Sequence, residues 1–133
     1  MPSPLFRKVD CIRLSVNDLD SGIAFYREQL GLELIWKTQH AVGLRMPDDT
    51  TEIVLHIEPK TPEIDLKVQS TDDAASQFEG AGGEVVVPPF DIQIGRCVVV
   101  RDPWGNELVL LDSSKGLLNT DSEGNVIGNT QPT

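Results

Sequence analysis

The chain has 133 residues, 39% of them apolar, which is enough for one compact domain with a single core. Its 21 acidic against 11 basic residues give a formal charge of -10, which excludes nucleic acid and anionic membrane surfaces as partners because both repel such a chain. Two cysteines, Cys11 and Cys97, are too few for a disulfide scaffold, and no apolar run suits a signal peptide or a membrane span, so a reduced, cytoplasmic, soluble protein is expected.

In chain order, CIRLSV (11–16) alternates apolar and polar residues and reads as a half-buried strand. Asn17 to Leu30 follows with Leu19, Ile23, Tyr26 and Leu30 at helical spacing, and Gly31 is placed as a left-handed cap. LELIWK (32–37) and AVGLRM (41–46) read as strands, PDDTT (47–51) as a turn, and EIVLHIE (52–58) as another strand. The second half repeats this order. EIDLKV (63–68) alternates, and Ser70-Thr71-Asp72-Asp73 starts a helix with acids where the helix dipole favours them. Ala74, Ala75, Phe78 and Ala81 supply its apolar face, and Gly82-Gly83 ends it. EVVV (84–87), IGRCVVV (94–100) and ELVLLD (107–112) complete the set, with Pro88-Pro89 separating the first two and a DPWGN turn (102–106) before the last.

The reading is therefore α+β, with βαβββ written twice: module one over about residues 8–58 and module two over about 62–112, in a single domain spanning 1–112. One strand is repeated almost letter for letter, since Thr51-Glu52-Ile53-Val54-Leu55-His56 overlays Asn106-Glu107-Leu108-Val109-Leu110-Leu111. Residues 113–133 fall outside the repeat as a tail, with a short hairpin around Gly124-Asn125 and a loose NTQPT end.

Strand parity assigns faces. Ile12, Leu14 and Val16 go to the helix, leaving Cys11, Arg13 and Ser15 on the other face. Likewise Ile64, Leu66 and Val68 are buried, while Glu63, Asp65 and Lys67 face away from the helix. Glu52, Val54 and His56 share that open face in module one, as Glu107, Val109 and Leu111 do in module two.

Paired βαβββ modules, an FYREQLGL helix end and a DPWGNELVLL turn and strand resemble the vicinal oxygen chelate superfamily, over roughly residues 8–112. That superfamily includes glyoxalase I, extradiol dioxygenases, and fosfomycin and bleomycin resistance proteins. The resemblance implies an open, curled mixed sheet with helices on its convex side and a ligand in the concave cleft. Metal-dependent members take four ligands there, and the matching positions in this chain are Cys11, Val54, Glu63 and Val109. Two valines coordinate nothing, so no metal is expected. A divalent metal held with help from His56 is the alternative, and the only two histidines, His40 and His56, argue against an iron dioxygenase.

Each cleft residue carries two readings. Cys11 is either a small buried hydrophobe or a thiol activated by Arg13, and Cys97 reads as core. His56 either caps the cleft rim by bonding a carboxylate or serves as a ligand. Glu63 and Asp65 are a solvated edge or, if dry beside the valines, carboxylates with raised pKa, which makes Glu63 the general-base candidate. Trp104 is placed as a lid over the helix–sheet edge, and Trp36 and Phe90 as cleft lining.

Two function classes follow. The double valine and the acid excess favour a binding module similar to bleomycin resistance proteins, taking a small organic ligand on Cys11, Arg13, Val54, His56, Glu63, Asp65 and Val109. Glu63 or Asp65 would orient a polar or cationic group of that ligand. The alternative is a lyase of glyoxalase I (lactoylglutathione lyase) type acting on a hemithioacetal, with Arg13 and Lys67 replacing the metal's charge. A catalytically silent domain with an interaction role is a third class. A homodimer is expected as well, because a curled sheet leaves edges to cover.

Overall fold

The computed structural model describes residues 4–47 and 50–130. Asp48 and Asp49 of the expected PDDTT turn, and most of the NTQPT end, lie outside them. The class is α+β, as expected, and the described residues form two compact units. One holds residues 10–64 with 118–128, and the other holds 4–9, 65–117 and 129–130.

Module one contains β1 (Lys8–Ser15), α1 (Leu19–Ile23), a π-helical stretch (Ala24–Gln29), β2 (Glu33–Lys37), β3 (Ala41–Arg45) and β4 (Glu52–His56). Its strands are ordered β2-β3-β4-β1, with β1 parallel to β4 and the other neighbours antiparallel. Asp18 caps α1 by accepting the Ser21 N–H at 2.7 Å, which satisfies one of the unpaired donors at the helix start. The expected continuous helix is corrected over 24–29, where the Leu30 N–H bonds to the Phe25 carbonyl, five residues back. That extra residue in the turn rotates Leu30 off the apolar face. Leu19, Ile23 and Tyr26 pack against Val42, Leu44 and Leu55 as expected, but Leu30 is 55% exposed and Leu32 takes its place. Gly31 closes the helix with φ +84°.

Module two contains β5 (Glu63–Lys67), α2 (Thr71–Gly80), β6 (Glu84–Ile92), β7 (Gly95–Arg101) and β8 (Glu107–Leu111), ordered β5-β8-β7-β6. Ser70 caps α2, and Ala74, Ala75 and Phe78 pack on Leu66, Val68, Val98, Val100 and Leu110. Ala81, expected on that face, is exposed as the C-cap, because α2 ends one residue earlier. Pro88-Pro89 does not break β6. The strand runs through them with register shifts between Val85 and Val87 and between Val87 and Phe90, and as the outermost strand of its unit it tolerates the missing N–H groups.

The tail forms the expected hairpin, β9 (Leu118–Thr120) and β10 (Val126–Asn129). Its DSEGN turn repeats the device of DPWGN. Asp121 accepts the Glu123 and Asn125 backbone N–H groups, just as Asp102 accepts those of Trp104 and Asn106. The hairpin joins module one through the Lys37 N–H, which donates to the Gly124 carbonyl at 2.7 Å. Trp104, expected as a lid, stands 83% exposed at the tip of its turn.

Candidate functional site

The parity assignment holds in module one. In module two it holds for Leu66 and Val68 but not for Ile64, which was expected to be buried and is 45% exposed near the start of β5. Leu14, Val16, Ile53 and Leu55 pack with the first helix, and Ile12 stands opposite Ile53 in the same row. On the open face of module one, Trp36 on β2, Gly43 on β3, Val54 on β4 and Arg13 on β1 align as one row across the sheet. Gly43 is required there because a Cβ would overlap the Trp36 indole, which lies across it. The indole N–H donates to Glu52 at 2.7 Å, fixing the ring in that position. Cys11, Ala41, Val54 and Trp36 then form one apolar cluster, with Val54 2% and Cys11 4% exposed. Cys11 is buried, in keeping with a small hydrophobe.

Beside this cluster opens a pocket of about 130 Å³ lined by Arg13, His40, Ala41, His56, Glu58, Lys60 and Glu63. Local hydrogen bonds build it. The Thr38 hydroxyl accepts the N–H groups of His40 and Ala41, folding the turn that delivers His40. The Val16 N–H reaches the His56 carbonyl at 2.8 Å and the Ser15 hydroxyl reaches the Glu58 carbonyl at 2.7 Å, which ties the end of β4 to β1.

The charges in this pocket are paired. Arg13 Nε lies 3.7 Å from Glu63, both side chains about 30% exposed (31% and 29%). Lys60 Nζ bonds Glu58 at 2.9 Å, which holds the Glu58 carboxyl below its ordinary range and the Lys60 ammonium above its own. Burial, then the nearby Arg13 charge, lowers the His56 pKa below the usual 6.5, so the ring is neutral at pH 7. Its Nδ1 accepts the Glu58 N–H at 3.2 Å, which leaves the ring proton on Nε2.

The other expected site residues lie elsewhere. Asp65 and Val109 are register partners on the open face of module two, together with Leu111, Cys97 and Phe90. Asp65 is buried, whereas Val109 is half-buried and Phe90 39% exposed. Glu63, read as a solvated edge or a dry general base, is half-buried with its carboxylate 3.7 Å from Arg13 Nε. A larger pocket of about 260 Å³ beside the start of α2 touches none of the expected site residues.

The sequence reading missed His40, Glu58 and Lys60 as pocket residues and the Trp36–Glu52 bond. His40 and His56 are the only histidines of the chain, and the fold brings both to this pocket.

Comparison with known proteins decides the family. The model of the Glyoxalase/Bleomycin resistance protein/Dioxygenase superfamily matches residues 8–110. The chain belongs to this superfamily. Solved structures share the fold at low identity. Methylmalonyl-CoA epimerase from Mycobacterium tuberculosis is 18% identical with a TM-score of 0.70, over 84% of this chain and 91% of that one. A Legionella pneumophila structure described as NAD-dependent benzaldehyde dehydrogenase is 20% identical with a TM-score of 0.64, over 77% and 97%. Homoprotocatechuate 2,3-dioxygenase from Brevibacterium fuscum is 23% identical with a TM-score of 0.62, and this chain covers 38% of its length. A search of curated proteins finds no match.

The superfamily's metal does not fit the residues present. Val54 is sealed in an apolar cluster, Val109 carries no donor, and Glu63 is engaged by a guanidinium. Among the described residues, no three His, Cys, Asp or Glu side chains converge to hold a cation. No helix among them is long and apolar enough to cross a membrane.

Proposed function

We propose that this chain is a metal-independent binding member of its superfamily, taking a small organic ligand on the open face of module one. The observation that carries the reading is the Cys11–Ala41–Val54–Trp36 cluster. Where metal-bearing relatives present a carboxylate, this chain places a buried valine under an indole pinned by Glu52. Such a surface offers apolar contact, and the adjoining pocket offers a few convergent polar groups, which is the usual composition of a small-molecule site. Glu63 serves this site by orienting Arg13. The two cysteines are buried and form no disulfide, and a homodimer in the cytoplasm is the working form we propose.

Chemistry of the glyoxalase type needs strong stabilisation of a developing enediolate, and among the described residues no three His, Cys, Asp or Glu side chains converge to hold the cation that would supply it. A hemithioacetal isomerisation assay with added zinc, nickel or cobalt is expected to show no turnover above background. Metal-dependent turnover abolished by Glu63→Gln would replace this reading with a glyoxalase I-like lyase.

A further inference from the structure

The pocket beside Trp36 has a definite hydrogen-bonding sign. Its two acids are both turned to cations, Glu58 to Lys60 and Glu63 to Arg13. Its donors are not used up. Arg13 approaches Glu63 through Nε at a long 3.7 Å, and its two terminal nitrogens make no hydrogen bond among the described residues. His56 spends Nδ1 on the Glu58 N–H and keeps an N–H at Nε2, and the His40 ring makes no hydrogen bond there. A guanidinium fork with an imidazole N–H beside it matches the planar, two-oxygen geometry of a carboxylate. Ala41 supplies an apolar wall continuous with the Trp36 cluster.

We propose that this pocket binds the carboxylate of a small organic acid, with Arg13 and His56 as the donors and Ala41 against the carbon skeleton. The inference rests on the binding reading above and names its ligand class. Glu63 acts as a placeholder, holding Arg13 in line until the ligand's carboxylate takes over the guanidinium. Lys60 stays with Glu58, so Arg13 is the cation that faces the ligand, which suits one carboxylate rather than a polyanion.

The test is an NMR titration of the full chain, with amide shifts followed at low salt, using benzoate, benzamide and benzylammonium as probes matched in shape. Benzoate is expected to move Arg13, Ala41, His56 and Glu58, and benzamide and benzylammonium are not. Arg13→Gln should weaken benzoate about tenfold or more, the scale of a charge-assisted bidentate contact. Arg13→Lys should fall between, keeping the charge without the fork. Glu63→Gln should tighten benzoate, a gain that a merely structural role for Glu63 does not give. The amide spectrum of each variant reports its folding directly. Benzamide binding as well as benzoate, an Arg13→Gln affinity within about twofold of the parent, or no shift with benzoate would overturn the carboxylate assignment. Benzylammonium at this pocket would also overturn it while leaving the binding reading intact. Loss of the binding reading itself would appear as metal-dependent turnover, not as a change among these probes.

Discussion

The last strands of the two modules are near copies in sequence, yet they end in different work. At the end of β8, Asp112 is 4% exposed and gathers four hydrogen bonds, from the backbone N–H groups of Thr71, Arg96 and Ser114 and from the Ser114 hydroxyl. One carboxylate thereby ties β8 to the start of α2 and to β7. Burial, the largest single influence, would raise its pKa, but the four donors together outweigh it and hold it at about 2. In module one the matching position is Ile57, which is 43% exposed, and α1 is capped locally by Asp18. There the end of β4 is freed from stapling the helix, and His56, Glu58 and Lys60 line a pocket instead. The duplicated fold thus uses one copy of the strand end to hold its helix and leaves the other lining a pocket.

The largest effect expected from breaking this comparison comes from the staple. Asp112→Ala leaves the Thr71 and Arg96 N–H groups without their acceptor and should cost about 3 kcal/mol, measured by urea unfolding. Ile57→Ala at the matching position should change stability little, because that side chain is already half in water.

The same carboxylate gives a pH signature. Its folded pKa of about 2 lies below the ordinary 3.8, so its ionised form is the one that stabilises the fold. That contribution, about 2 kcal/mol, is complete above pH 3.8 and is lost as the pH falls toward 2. Acid unfolding curves of Asp112→Asn should lack this component.

A smaller effect sharpens the module one side. Gly43→Ala forces the indole of Trp36 off its row, at a cost of about 1–2 kcal/mol, and should shift Trp36 fluorescence while leaving module two untouched. A Trp104→Phe background isolates that signal, since Trp36 and Trp104 are the only two tryptophans.

Much of this was legible in the sequence. Period-two alternation assigned the two faces of β1, β4 and β8, and of β5 apart from the exposed Ile64, and the repeated strand marked the duplication. What escaped depends on three-dimensional convergence. His40 comes from a turn and Lys60 from beyond a strand end, so no local pattern joins them to Arg13. The π turn that expels Leu30 is invisible to a count that assumes regular helical spacing. Asp112 was the most readable omission, because parity puts a carboxylate on the helix face, where a charge persists only with donors around it.

The function we propose has the open face of module one recognise an organic ligand in place of a metal, which makes a direct prediction about metal content. The most direct measurement is the metal content of the purified full chain by elemental analysis, without chelator and without added metal. A clearly substoichiometric content of zinc, nickel, cobalt, iron and manganese, unchanged in Glu63→Gln, is the expected result. About one transition metal per chain, lost in Glu63→Gln or Cys11→Ala, would contradict it.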